Sequence, residues 1–122
     1  KGVQRAPYGR LVHDPVRFPF EEPVWQDQRL VGHIVYVDRF GNLISNIMRK
    51  HLEEVEAVTK HPTPEIHIAQ QTIKGLVVSY SEGERGRPGA ILNSSGFLEI
   101  FLKEGSAAEE LGLKSGALIT VT

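Results

Sequence analysis

The 122-residue sequence contains no cysteine, which excludes disulfides and thiolate metal sites outright. It has no apolar stretch approaching the ~20 residues that a bilayer-crossing helix needs. Its opening residues, Lys1-Gly2-Val3-Gln4-Arg5, lack the apolar core of a signal peptide. It has no dominant charge either: fourteen basic and fifteen acidic residues give a formal net charge of −1, with no long run of one sign. Neither nucleic acid nor a membrane is therefore expected as a partner drawn by bulk charge. The single methionine does not stand first. The expectation is a soluble, cytoplasmic chain that is a piece of a longer protein. No internal repeat or low-complexity segment is present.

What remains supports one globular domain. A hydrophobic fraction of 40% is ordinary for a folded chain, and a compact domain of this size buries roughly two-thirds of its unfolded surface. The first 28 residues differ from the rest. Pro7, Pro15, Pro19 and Pro23 break any helix, among scattered Leu11, Val12, Phe18, Phe20 and Trp25. This predicts an extended arm over 1–28, whose aromatics pack against the domain or a neighbour, and a β domain over 29–122.

Within the domain, β-branched and alternating runs predict strands at Leu30 to Val37, Leu43 to Ile47, Glu65 to Gln70, Leu76 to Tyr80, Ala90 to Leu92, Phe97 to Leu102 and Leu118 to Val121. A short helix is expected after a cap at Ser45 or Asn46, with Ile47, Met48, Leu52 and Val55 on one face. A second is expected over Ser106 to Leu111, stopped by Gly112. Residues 81–88 read as a polar loop. Many short strands joined by tight turns point to an all-β fold, an antiparallel barrel or small sandwich.

Two segments stand out for chemistry. Asp38-Arg39-Phe40-Gly41-Asn42 carries hydrogen-bonding side chains on Asp38 and Asn42 and an aromatic face on Phe40. A tight turn that uses Asp, Gly and Asn for conformation alone is the stronger reading of the spacing by itself. Asn93-Ser94-Ser95-Gly96 has short side chains that let a flat ligand approach the backbone, or it is an ordinary hairpin turn. Glu99 alternates with large apolar residues and faces solvent or a pocket. It has no second carboxylate at a telling spacing, so paired acid–base catalysis is unsupported. The five histidines, His13, His33, His51, His61 and His67, form no ligand pair, and no metal is expected. Ser79, Ser81, Ser94 and Ser95 lack the setting of a serine nucleophile. The pattern is that of half a binding site. The stretch from Gly105 to Gly116 resembles the helix and turn near the end of PDZ domains, but the nearest glycine-aromatic pair, Gly96-Phe97, is too close to it for a peptide groove.

Read together, Asp38-Arg39-Phe40-Gly41-Asn42-Leu43-Ile44-Ser45-Asn46-Ile47 and the stretch from Asn93 to Val121 resemble the C-terminal domain of the adenosine-forming S-adenosylmethionine hydrolases (SAM hydroxide adenosyltransferases), relatives of the fluorinases and chlorinases. The resemblance runs from Gly32 to Val121. It implies an antiparallel β-barrel whose active site lies against the N-terminal α/β domain of a neighbouring subunit in a homotrimer. That N-terminal domain carries the water-activating residues, so the resemblance implies no catalytic residue within this chain and no activity for it alone. No cofactor is implied, since SAM is the substrate.

The resemblance also implies contacts. Asn42 would bond the nucleoside with Phe40 packed beside it, and Asp38 would meet the ammonium of the methionine portion. Ser94 and Ser95 would meet the adenine edge, helped by backbone from Leu102 to Glu104. Tyr80 would lie against adenine, and Glu99 would reach the methionine end. Halogenating relatives tend to carry Arg where Ser95 stands and lack Glu99, which favours hydroxide over halide. Ala117-Leu118 replaces a common Asp-x-Val ending. The rival from another class is a non-catalytic β-barrel interaction module with purely structural turns.

Overall fold

The computed structural model describes residues 21–122. The arm residues Pro7, Leu11, Val12, Pro15, Phe18, Pro19 and Phe20, together with His13, lie outside the described residues. The described chain forms eight strands and two short helices: β1 (Val24–Gln26), β2 (Arg29–Val37), β3 (Leu43–Met48), α1 (Arg49–Thr59), β4 (Glu65–Ile68), β5 (Gln71–Lys74), β6 (Pro88–Leu92), β7 (Phe97–Leu102), α2 (Ala107–Leu111) and β8 (Leu118–Val121). Every strand ladder is antiparallel.

The strand order β5-β4-β8-β2-β3-β7-β6, with β1 beside β2, curls into a nearly closed barrel. Alternation explains its interior. Leu30 and Ile34 of β2, Ile66 and Ile68 of β4, Leu98 and Ile100 of β7, and Ile119 and Val121 of β8 are each at most 1% exposed and form one core. Each such side chain contributes roughly 1.5–3 kcal/mol by leaving water. Among the described residues, the barrel does not close by a ladder. β5 and β6 stand at the ends of the path, and the β6 edge is met by one parallel bridge from Val77 to Ile91. A cleft of about 440 Å³ lies along this seam, lined by β5, residues 82–84 and the start of β6.

Several expectations need correction. The sheet begins at Val24, inside the segment read as an arm, because Val24, Trp25 and Gln26 pair with Val31, Leu30 and Arg29. Ser45 and Asn46 do not cap the first helix. Both are buried within β3, where their side chains patch irregular pairing. The Ser45 hydroxyl donates to Leu98 O at 2.7 Å and accepts from Ile47 N, and Asn46 Oδ1 accepts from His33 N. The helix starts four residues after Ser45, where Met48 N donates to the ring Nδ1 of His51 at 2.8 Å. Its buried face is His51, Leu52 and Val55, while Ile47 is buried through the strand.

The strand expected at Leu76 to Tyr80 is also absent. A two-residue turn at Ala69-Gln70, with Ala69 at φ +53°, folds Gln71–Lys74 back as β5 instead. Residues 77–83 then cross the outside of the sheet and end in a 3-10 turn at Tyr80–Glu82. The second helix keeps its expected limits: Ser106 Oγ accepts from Glu109 N, and Gly112 ends it in the left-handed conformation.

Candidate functional site

The β2–β3 turn is built by Asp38. Its Oδ1 accepts from Phe40 N at 2.9 Å and Asn42 N at 3.0 Å, and its Oδ2 accepts from Asn42 Nδ2 at 3.1 Å. The side chains expected to bind ligand thus also shape their own loop. Gly41 is needed at the apex. It sits at φ +84°, and a Cβ there would stand 2.6 Å from Ser106 Cβ and 2.9 Å from Ser106 Cα. That close approach lets Ala108 N donate to Gly41 O at 2.9 Å, docking the turn on α2. Phe40 is left 64% exposed, with the Arg39 guanidinium 5.0 Å from its ring centre.

The outer face of β7 forms the next wall. Leu98 and Ile100 point into the barrel, so Phe97, Glu99 and Phe101 point outward, yet all three are buried. Residues 77–83 cover Glu99 and Phe101. The Tyr80 ring meets Phe101 edge-on, 5.1 Å between centroids at 84°. Gly83 and Gly89 admit the Phe101 ring, since a Cβ on either would lie 2.6–2.7 Å from it. Lys103 Nζ donates to Ser81 O at 2.9 Å, and Arg85 pairs with Glu104 at 3.1 Å.

Glu99 is 3% exposed and sits beside Ile44 of β3 and Ile91 of β6. Its Oε2 accepts from the Tyr80 hydroxyl at 2.7 Å and its Oε1 from Asn93 Nδ2 at 3.2 Å. Burial first, then the hydrogen bond to Glu99 and the negative charges of Glu99 and Asp38, push the Tyr80 phenol up to about 12.

A cleft of about 400 Å³ opens between these pieces. Phe40 and Asn42 line it from the β2–β3 turn, Tyr80 and Ser81 from the 3-10 turn, and Phe101 to Gly105 from the end of β7. Five of the residues singled out from the sequence therefore meet there: Phe40, Asn42, Tyr80, Leu102 and Glu104. Asp38 stands just behind, through its bonds to Asn42. Ser94 and Ser95 do not line the cleft. They are exposed in the turn at the opposite end of β7, seven residues or roughly 20 Å along the strand from Leu102. Asn93 ties that turn to the cleft through Glu99, while its Oδ1 accepts from Ser95 N and Phe97 N, both at 3.0 Å.

The sequence reading did not single out Ser81, Phe101 or Gly105 as ligand-contacting residues, and included Lys103 only through its backbone. Phe101 reads as a core residue by composition, and only its odd position relative to Leu98 and Ile100 marks it as outward-facing. Among the described residues, no three His, Asp or Glu side chains converge as a metal site would require. No helix among them is long and apolar enough to cross a membrane.

Residues 32–120 match the family model described as the SAM hydroxide adenosyltransferase C-terminal domain. The chain is similar to a curated (R)-S-adenosyl-L-methionine hydrolase of Thermus thermophilus, 34% identical over 85 residues that make up 70% of this chain and 29% of that protein. Its fold is similar to that of a conserved hypothetical protein from Thermus thermophilus, with a TM-score of 0.61 and 28% identity over 75% of this chain and 34% of the other. It is also similar to an uncharacterized conserved protein from Thermotoga maritima, with a TM-score of 0.65 and 22% identity over 85% and 40% of the two chains. The chain thus spans less than half the length of each.

Proposed function

Since this chain belongs to the SAM hydroxide adenosyltransferase C-terminal domain family, we propose that it is the ligand-holding part of an S-adenosyl-L-methionine hydrolase that yields adenosine and L-methionine. The observation that carries this reading is the cleft itself. Two exposed aromatic rings, Phe40 and Tyr80, flank a wall of backbone at Leu102 to Gly105, with the Asn42 amide beside them. Flat rings offer stacking to a flat heterocycle, and a run of backbone N–H and C=O groups can read its edge.

In this reading Asn42 bonds the nucleoside, Phe40 and Tyr80 pack on it, and the backbone at Leu102 to Glu104 meets the adenine edge. Asp38 supplies negative charge toward the methionine ammonium, while Glu99, expected from the resemblance to reach the methionine end, is buried behind Tyr80 and bonds Tyr80 and Asn93 instead. Ser94 and Ser95, expected from the resemblance at the adenine edge, stand in the turn at the far end of β7 and are given no ligand contact in this reading. The reaction is displacement at the ribose C5′: a water oxygen forms the new C–O bond, the C–S bond breaks with its electrons going to sulfur, and the water gives up a proton. Methionine leaves as a neutral thioether, so orientation and a dry site supply most of what the enzyme must add. The residues that take the proton belong to the N-terminal domain of a neighbouring subunit, in a homotrimer. This chain alone is inactive. SAM is substrate, no cofactor or metal takes part, and the protein works in the cytoplasm.

The test is a titration of adenosine into isotope-labelled chain, read by backbone amide shifts. Saturable shifts confined to Phe40, Asn42, Tyr80 and residues 102–104 are expected. Shifts elsewhere, or none in either this chain or the intact trimer, overturn the reading. In the intact enzyme Asn42→Ala weakens substrate and adenosine alike; affinities for both within about twofold of wild type, less than one hydrogen bond is worth, would remove Asn42 from the site.

A further inference from the structure

We infer that Glu99 is a positioning residue, a buried carboxylate that sets the Tyr80 ring as a wall of the cleft and ties that wall to the turn at 93–96. This rests on the reading of the cleft as a nucleoside site, and adds to it how the site is kept in shape before ligand arrives.

The position demands a group that accepts on both sides. Asn93 cannot turn its carbonyl toward Glu99, because its Oδ1 already accepts from Ser95 N and Phe97 N. It presents only its NH₂, and Tyr80 presents a hydroxyl that donates. An ionised carboxylate satisfies both donors at once. A glutamine satisfies Asn93 only by turning its own NH₂ toward Tyr80, which then loses its anionic acceptor. A carboxylate 3% exposed and flanked by Ile44 and Ile91 is costly unless so satisfied. The two bonds account for its presence there.

Tyr80 needs such a hold. It lies in a short 3-10 turn outside the sheet ladders and is 46% exposed. Its edge-on contact with Phe101 restrains the ring from one side, and the bond from its hydroxyl to Glu99 pins the far end. A ring fixed at two points offers its open face to a ligand without the entropic cost of ordering it on binding. Glu99 itself acts through Tyr80 and Asn93, with one oxygen committed to each.

The experiment follows the Tyr80 phenol by NMR in chain carrying ring-labelled tyrosine, with Tyr80→Phe to identify its signal, and adenosine affinity in the same samples. In wild type the phenol is expected up at about 12, raised by burial first and then by the bond to Glu99. In Glu99→Gln it returns toward the ordinary tyrosine range, and adenosine affinity falls about fivefold, the scale of one hydrogen bond. Tyr80→Phe, which keeps the ring and leaves Glu99 in place, loses a similar factor. The double variant loses no more than either single one, because both remove the same link. An unchanged phenol titration in Glu99→Gln overturns the inference, as do additive losses in the double variant, which a merely structural role would give. If the phenol responds but wild type in the intact trimer ignores adenosine, the nucleoside reading fails while the hold of Glu99 on Tyr80 stands.

Discussion

The Tyr80 hydroxyl donates to the buried Glu99 carboxylate across 2.7 Å, joining a 3-10 turn to a strand nineteen residues further along the chain. The folded protein keeps the phenol proton more tightly than the unfolded chain does, with a value of about 12 against 10.0. Stability from this group is therefore complete below pH 10.0 and is lost as the pH rises through about 12. Urea midpoints measured across that window should fall more steeply for wild type than for Tyr80→Phe. Parallel curves would refute the assignment.

Gly41→Ala forces a side chain into the left-handed region and against Ser106. Together these should cost about 3 kcal/mol in chemical denaturation. The Ala108 amide, which donates to Gly41 O, should lose hydrogen-exchange protection in the same variant. A wild-type midpoint would mean that the turn does not sit against α2.

Gly89→Ala places a Cβ 2.7 Å from the Phe101 ring. Overpacking of this kind should destabilise by about 1–3 kcal/mol. Because Phe101 carries Tyr80 edge-on, the near-ultraviolet circular dichroism of the aromatic pair should change too. Loss of stability with an unaltered aromatic spectrum would uncouple the two rings.

At the first helix, His51 Nδ1 accepts from Met48 N and Nε2 lies 3.2 Å from Glu22 Oε1. His51→Ala should cost about 1–2 kcal/mol, as removal of a buried cap does. Glu22 is largely exposed, with 76% of its side chain accessible. Glu22→Ala should therefore stay within about 0.5 kcal/mol of wild type. Equal effects of the two changes would show that the bond to Glu22, not the cap, is what His51 provides.

The barrel was legible where sequence pattern and ladder agree. β2, β7 and β8 alternate apolar residues facing one interior, and the predicted strands fall on them within a residue or so. The pattern misled where side chains do what backbone usually does. Ser45 and Asn46 look like helix caps, yet they repair the pairing of β3 with its neighbours. Ala69-Gln70 carries none of the usual turn residues, so the hairpin of β4 and β5 left no signal. Leu76 to Tyr80 is rich in strand formers because it packs across a sheet, with Val77 bridging Ile91 at one point only.

Of the candidate site, the Asp38 to Asn42 turn drew notice by its residue types, although conformation alone was the stronger reading of its spacing, and Tyr80 entered only through the family resemblance. The burial of Glu99 was not. It depends on a segment nineteen residues upstream folding over the outside of β7, which no local period records. Ser94 and Ser95 lie in the turn that precedes β7, at the other end of that strand from Leu102, and proximity in sequence says nothing of that separation.

The unlaced seam between β5 and β6 leaves backbone donors and acceptors facing outward, the kind of border on which a second chain can add strand after strand into an aggregate. Its residues work against this. Pro88 opens β6 without an N–H to offer, and Lys74 and Arg87 line the cleft beside it. Replacing those charges with apolar residues would leave the fold intact while removing what keeps neighbouring molecules apart at high concentration.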